Sequence, residues 1–139
     1  MSHPHPQAFC MTLSPRWGDM DAMNHVNNAV YLRYLEEARI QWLNAQHTAW
    51  FDDRHVPVLA QAMLNYRLPI TYPSTLLIEL FTRRIGNSSL TVGHRIKDQA
   101  TGRLHCDGEV VVVWIDRTSG QASSLPEAVR EAAEKIATA

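Results

Sequence analysis

Cysteine, long apolar runs and an excess of one charge are all scarce in this sequence of 139 residues. The two cysteines have no C-x-x-C spacing, so neither a disulfide framework nor a cysteine zinc site is expected. The longest purely apolar run, residues 110–115, is far shorter than the roughly 20 residues that span a bilayer, and residues 1–7 have no apolar signal core. We therefore expect a cytoplasmic protein without a membrane segment.

The charge balance and the missing motifs exclude further classes of function. The net charge is −1, which gives no electrostatic footprint for a nucleic-acid partner. The patterns G-x-G-x-x-G, G-x-x-x-x-G-K-[ST] and G-x-S-x-G are absent, so nucleotide redox, P-loop and serine-esterase chemistry are not expected. The histidines lack the spacing of metal ligands, and we predict no metal site.

The length and composition favour one small domain. Hydrophobic residues make up 45% of the chain, and a chain of this length buries about two-thirds of its unfolded surface in a single core. Residues 1–7 contain two prolines within a short polar stretch and predict a flexible tail. The domain is expected to occupy residues 8–139.

A long helix is predicted from Asn28 to about Asn44. Its apolar residues recur at intervals of three and four and cover most of the helix surface. A helix with so little polar surface must be enclosed on most sides. The narrow polar seam that remains consists of Arg33, Glu37, Gln41 and Asn44.

Five segments alternate apolar and polar residues with the period of a strand: 8–14, 58–68, 75–85, 89–97 and 104–115. Short turns separate the last three, which indicates antiparallel hairpins. Ser124 and Glu127 have capping-box spacing and predict a short terminal helix. The pattern is α+β, with one helix against one curved antiparallel sheet whose long edge strands favour pairing between subunits.

The polar cluster of the sequence lies directly before the long helix. Residues 16–28 contain two aspartates, a histidine and three asparagines, two of which directly precede the helix. The first N–H groups of a helix lack internal partners and lie at the positive end of its dipole, so they can stabilise a developing negative oxygen. A carboxylate at this position indicates acyl transfer.

The segment D-M-D-A-M-N-H-V-N-N, residues 19–28, together with Tyr31, Glu36, Glu37 and Arg39, resembles the hotdog-fold acyl-CoA thioesterases of the 4-hydroxybenzoyl-CoA thioesterase group. The resemblance extends from about Phe9 to Pro126. It implies a hotdog fold, in which a five-stranded antiparallel sheet wraps the helix. It also implies homodimers or homotetramers with active sites where subunits meet, and hydrolysis of acyl-CoA without a cofactor. The H-V-N-N form is closer to the fatty-acyl members than to the aromatic-acyl ones.

The resemblance also implies roles for individual residues. Asp21 falls on the position that acts as nucleophile or general base, and the backbone N–H of Asn28 on the oxyanion-stabilising position. His25 either orients the asparagines, binds the acyl carbonyl or packs as a structural residue. Asp19 is expected to order the loop, with Arg16 as a partner. Asn24 replaces a common glycine, but asparagine tolerates the left-handed backbone that such a turn requires.

The best candidate for an anchor of the coenzyme A phosphates is the turn that contains Arg83, Arg84, Ser88 and Ser89, because it combines two guanidinium groups with two hydroxyls. Strand alternation predicts that Arg83 and Arg84 point to opposite faces of the sheet.

Two other functions remain open. One is a non-catalytic hotdog module that binds acyl groups or proteins. The retention of Asp21 argues against it. The other is a hotdog hydratase or dehydratase, for which an aspartate and a histidine five residues apart are expected, whereas Asp21 and His25 are four apart.

Overall fold

The computed structural model describes residues 8–137, so the tail predicted for residues 1–7 lies outside the described part of the chain. The predicted helix and five strands are confirmed, as is the terminal helix. The elements are β1 (Phe9–Leu13), α1 (Val30–Asn44), β2 (His55–Tyr66), β3 (Leu76–Ile85), β4 (Ser89–Asp98), β5 (Leu104–Asp116) and α2 (Glu127–Lys135).

The five strands form one antiparallel sheet in the order β1-β3-β4-β5-β2. The predicted hairpins β3–β4 and β4–β5 are adjacent in the sheet because their connections are short. β1 and β2 are the two edges. The fold predicted from the sequence is therefore correct.

Helix α1 packs against the sheet through a buried face that includes Leu35, Ala38 and Trp42. The seam predicted to be polar is exposed: Arg33, Glu37, Gln41 and Asn44. Leu32 and Ile40 are only half-buried. The expectation that the helix is enclosed on most sides is therefore only partly met within one chain.

Strand β2 differs from the other strands in its exposure. Residues 58–63 are all exposed, although alternate side chains point to opposite faces of a sheet. Leu59 is 47% exposed and Met63 39%. The strand thus has an open edge and apolar side chains that nothing in residues 8–137 covers.

The predicted capping box of α2 is wrong. Pro126 occupies the N-cap, and its carbonyl accepts the N–H groups of Val129 and Arg130, each at 3.0 Å. Ser124 lies two residues before the cap, and its hydroxyl makes no hydrogen bond within residues 8–137. The helix begins two residues later than the box requires, so a backbone carbonyl and not the serine hydroxyl accepts the first-turn N–H groups.

Candidate active site

The loop before α1 folds back on itself as a small hairpin. Met20 and Val26 form an isolated antiparallel bridge, and the N–H of Asp21 donates to the carbonyl of His25 at 2.8 Å. Asn24 has a φ of 60°, the left-handed conformation expected at this turn. The hairpin places Asp21 and His25 on adjacent, hydrogen-bonded positions.

Asp19 fastens this loop to α1. Its buried carboxylate accepts the Tyr34 hydroxyl at 2.6 Å and the backbone N–H of Arg16 at 2.9 Å. Its own carbonyl accepts the N–H of Asn27. Asp19 therefore orders the loop, as predicted, and the Arg16 guanidinium lies 3.9 Å from its carboxylate.

The carboxylate of Asp21 has one engaged and one open oxygen. Oδ1 accepts the backbone N–H of Met23 at 2.9 Å and that of His25 at 3.4 Å. No group within residues 8–137 donates a hydrogen bond to Oδ2. Asp21 lines a cavity of about 210 Å³ together with Asn28 and Tyr31, so a charged oxygen is available to a bound molecule.

The backbone N–H of Asn28 also has no hydrogen-bond acceptor within residues 8–137. The neighbouring amides differ, because the N–H of Asn27 donates to the carbonyl of Asp19, and those of Ala29 and Val30 donate to the side chain and the carbonyl of Asn27. Helix α1 begins at Val30, two residues later than predicted, so Asn28 lies in the turn that leads into it. Its amide is a free donor beside the positive end of a helix.

Tyr31 and Tyr66 form a wall of the cavity that Asp21 lines. Their rings meet edge to face with centroids 4.9 Å apart. Burial raises the pKa of Tyr31 to about 12, and the nearby charge of Asp21 adds to the shift, so this hydroxyl stays protonated. The Tyr66 hydroxyl donates to the carbonyl of Asn28 at 3.0 Å and thereby orients the peptide that follows Asn28.

Sequence reasoning missed the contribution of Tyr66. It lies at the end of a strand whose alternation predicts only its pairing, and no local pattern shows that β2 ends beside the start of α1. Its separation of 38 residues from Asn28 explains why a local motif could not contain it.

His25 lies where two cavities meet. It lines the cavity of Asp21 and a second cavity of about 410 Å³ that includes Arg103 and His105. Its imidazole makes no hydrogen bond within residues 8–137. The structure thus brings together the three residues predicted to be catalytic: Asp21, His25 and Asn28.

The predicted coenzyme A anchor lies far from the cavity that Asp21 lines. Ser88 and Ser89 lie where β4 begins, whereas Asp98, at its end, lines the cavity next to Asp21. The 10 residues of β4 separate these two ends of the sheet, and ten extended residues span about 30 Å. The anchor remains a prediction, and within one chain its residues are too far from Asp21 to bind the same substrate molecule near its thioester.

The expectation that Arg83 and Arg84 point to opposite faces is wrong. The β3–β4 register shifts between Thr82 and Arg84, so Arg83 is the extra residue of a bulge. Arg84 pairs with Thr91, and Arg83 donates to Glu109 at 2.6 Å on that same face. An inserted residue breaks the alternation on which the prediction depended.

An apolar cavity of about 120 Å³ lies between α1 and the first half of β2. Its lining includes Trp42, Trp50 and Trp114, with Val58 and Leu59 from the exposed strand edge. Arg39 also lines it, and burial lowers the pKa of this guanidinium. The cavity suits an apolar group that enters from the β2 edge.

Two kinds of feature are absent from the described residues, 8–137. No group of three or more His, Cys, Asp or Glu side chains in that range is placed to hold a metal ion. None of its helices has the length and apolar character needed to cross a membrane.

Comparison with known proteins places these features in a family. Residues 15–133 match the family model described as the thioesterase-like superfamily. The long-chain acyl-CoA thioesterase FadM of Escherichia coli is 29% identical over 126 residues, which cover 84% of this chain and 90% of FadM.

Solved structures show the same fold. A provisionally assigned acyl-CoA thioesterase from Xanthomonas campestris is 46% identical, with a TM-score of 0.76 over 84% of this chain and 98% of that one. Slr0204, a 1,4-dihydroxy-2-naphthoyl-CoA thioesterase from Synechocystis, has a TM-score of 0.84 over 90% of this chain and 94% of its own. At 18% identity, Slr0204 shows similarity of fold alone.

Proposed function

The chain belongs to the thioesterase-like superfamily, and we propose that it hydrolyses an acyl-CoA thioester to a free carboxylic acid and coenzyme A. One observation carries the proposal. Asp21 and Asn28 line the same cavity, and neither Oδ2 of Asp21 nor the backbone N–H of Asn28 has a partner in residues 8–137. A thioester carbonyl between them meets an attacking group and a donor for its developing negative charge.

Asp21 acts by one of two routes. As nucleophile, Oδ2 forms a bond to the acyl carbon, the C–S bond breaks, and coenzyme A leaves as a thiolate that water later protonates. Water then cleaves the resulting anhydride. As general base, Asp21 takes a proton from water while the water oxygen bonds to the acyl carbon; the C–S bond then breaks and the proton passes to the departing thiolate. Both routes need no strong acid, because a thiolate is a good leaving group.

The Asn28 amide supplies the oxyanion donor. Its N–H lies next to the first turn of α1, where the backbone dipoles leave a partial positive charge. The Tyr66 hydroxyl holds the Asn28 carbonyl at 3.0 Å, which limits rotation of the neighbouring peptide. A preorganised donor stabilises the tetrahedral oxyanion without moving during the reaction.

We also propose that a second copy of the chain completes the site. β2 has an open edge with exposed apolar side chains, and an edge strand of this kind favours pairing with its own copy. Antiparallel pairing places the start of one β2 beside the end of the other. The apolar cavity near Val58 of one chain then adjoins Tyr66 and Asp21 of its partner and takes the acyl group.

The test is release of coenzyme A thiol from acyl-CoAs that differ in chain length and aromaticity. Asp21→Asn is expected to lower kcat by at least about a hundredfold, because the amide neither attacks nor accepts a proton as a carboxylate does. Asp53→Asn is the matched control. Asp53 is exposed and makes no hydrogen bond or ion pair within residues 8–137, so this variant should retain full activity.

Other outcomes would exclude the proposal. An acyl-binding module would bind the substrates and release no thiol. A hydratase would consume enoyl thioesters without releasing coenzyme A. If Asp21→Asn hydrolysed as fast as the unmodified protein, the assigned role of Asp21 would be wrong even though the activity was present.

A further inference from the structure

The cavity lined by Asp21 adjoins a second one. The two share three lining residues, His25, Leu68 and Pro69, so a molecule bound at Asp21 lies beside the second cavity. We call this second cavity, of about 410 Å³, the side groove. Its lining includes His25, Leu68, Pro69, Asp98, Thr101 and Arg103.

The side groove has an apolar wall and a cation. Leu68 and Pro69 form its junction with the site of Asp21. Arg103 is exposed, and its guanidinium makes no ion pair or hydrogen bond within residues 8–137. Arg67, in the neighbouring cavity, differs because Asp107 accepts its guanidinium at 3.1 Å. Arg103 is thus the cation of the groove that is free to bind an anion.

The carboxylate in the groove is already engaged. Asp98 accepts both the backbone N–H and the hydroxyl of Thr101, each at 2.9 Å, and these bonds lower its pKa. The backbone of Arg103 is held by the same turn, since its N–H donates to the Thr101 hydroxyl at 3.2 Å. The turn fixes where the Arg103 side chain starts and leaves its charge unpaired.

We propose that the side groove holds the phosphopantetheine arm of the substrate and that Arg103 binds its phosphate. The proposal depends on the proposed function, because it requires the thioester to lie at Asp21. The arm is a long, largely uncharged chain that ends in a phosphate. Its methyl and methylene groups suit the apolar wall at Leu68 and Pro69, and guanidinium is the side-chain group that best matches phosphate geometry.

The position of Arg103 favours it over Arg84. Neither guanidinium has a hydrogen bond or ion pair within residues 8–137, but Arg84 lies near the start of β4 and the side groove lies at its end. An arm that leaves the thioester through the groove reaches Arg103 of the same chain. A phosphate site at Arg103 and a phosphate site at Arg84 therefore predict different effects for Arg103→Ala and Arg84→Ala.

The experiment isolates the phosphate. Hydrolysis rates are compared for an acyl-4′-phosphopantetheine and the matching acyl-pantetheine, which lacks only that phosphate, and for the acyl-CoA and an acyl carrier protein loaded with the same acyl group. Arg103→Ala should lower kcat/KM about tenfold for the three phosphate-bearing substrates and leave acyl-pantetheine within twofold. Arg103→Lys should recover part of the loss, and Arg84→Ala should change no ratio.

An equal effect of Arg103→Ala on substrates with and without the phosphate would overturn the proposal, as would a selective loss in Arg84→Ala. Binding of coenzyme A measured by calorimetry separates this inference from the proposed function. Tight binding that weakens about tenfold in Arg103→Ala supports the groove even if no thioester is hydrolysed. Binding that is unchanged in Arg103→Ala overturns it even if hydrolysis is rapid.

Discussion

Two aspartates that are separated by one residue have different environments and different roles. Burial alone would raise the pKa of Asp19, but hydrogen bonds from the Arg16 backbone and the Tyr34 hydroxyl outweigh it and lower the pKa. Both groups donate to Oδ2 of a carboxylate that is only 11% exposed, which leaves Asp19 a structural residue. Asp21 keeps one oxygen open toward a cavity and is suited to chemistry.

At the residue scale, the role of Asn28 is testable because it concerns the backbone and not the side chain. Asn28→Ala keeps the N–H and should change kcat less than about threefold, since the side chain makes no hydrogen bond within residues 8–137. Asn28→Pro removes the N–H and should lower kcat by about a hundredfold or more, the usual cost of losing one oxyanion donor. Steady-state thiol release measures both variants.

Circular dichroism and thermal unfolding check that the proline variant is folded. Tyr66→Phe gives an independent test, because it loses only the hydroxyl that holds the Asn28 carbonyl. It should reduce kcat severalfold with little change in KM. A large loss in Asn28→Ala would place the function in the side chain and contradict the role of the amide.

At the scale of elements, periodicity predicted the strands and helices, and breaks in periodicity produced the errors. The alternation in residues 89–97 and 104–115 matches β4 and β5 within one residue at each end. The bulge at Arg83 and the cap at Pro126 depend on one inserted residue and one competing carbonyl, which neither alternation nor spacing reveals.

The candidate site was predicted in part, for a similar reason. Asp21, His25 and Asn28 lie within eight consecutive residues and approach each other through a local hairpin. Tyr66 and Arg103 reach the same region only because β2 ends and β5 begins at that end of the sheet. Long-range register decides such contacts, and a single sequence does not contain it explicitly.

The bond between Asp19 and Tyr34 joins the loop to α1 and should control stability in acid. Because the folded pKa of Asp19 is lowered, its charge stabilises the fold above pH 4, and this contribution is lost as the pH falls through the folded value. Tyr34→Phe should cost about 2 kcal/mol of unfolding free energy at pH 7. The difference from the unmodified protein should shrink as the pH falls from about 4 toward the lowered pKa of Asp19, because the charge that the Tyr34 hydroxyl stabilises is then progressively lost.

Urea unfolding at pH 7 and at pH 3 measures this prediction. Tyr72→Phe is the matched control, since Tyr72 is 45% exposed and its hydroxyl makes no hydrogen bond within residues 8–137. The unfolding free energy of Tyr72→Phe should stay within about 0.5 kcal/mol of that of the unmodified protein at both pH values. A cost for Tyr34→Phe that is the same at pH 7 and pH 3 would show that Asp19 is not the partner that matters.

For the whole molecule, the open edge of β2 and the small size of the two cavities at its ends both favour assembly of two chains. The apolar cavity holds about 120 Å³, and the cavity at Asp21 about 210 Å³, so neither alone encloses a long acyl group. Antiparallel pairing of two β2 strands would bring the apolar cavity of one chain next to the Asp21 cavity of the other, at two equivalent sites. Assembly and activity should therefore be lost together.

Charge pairs at the middle of β2 test this link. Gln61 is exposed and lines neither cavity, so Gln61→Lys and Gln61→Glu should each fold normally but place like charges opposite each other across a two-fold axis. Each variant alone should dimerise at least about tenfold more weakly and lose kcat/KM in proportion at low protein concentration. A one-to-one mixture should recover both properties, because opposite charges then meet. Sedimentation velocity and thiol release on the same samples measure this, and a protein that sediments as a monomer at full activity would refute the shared site.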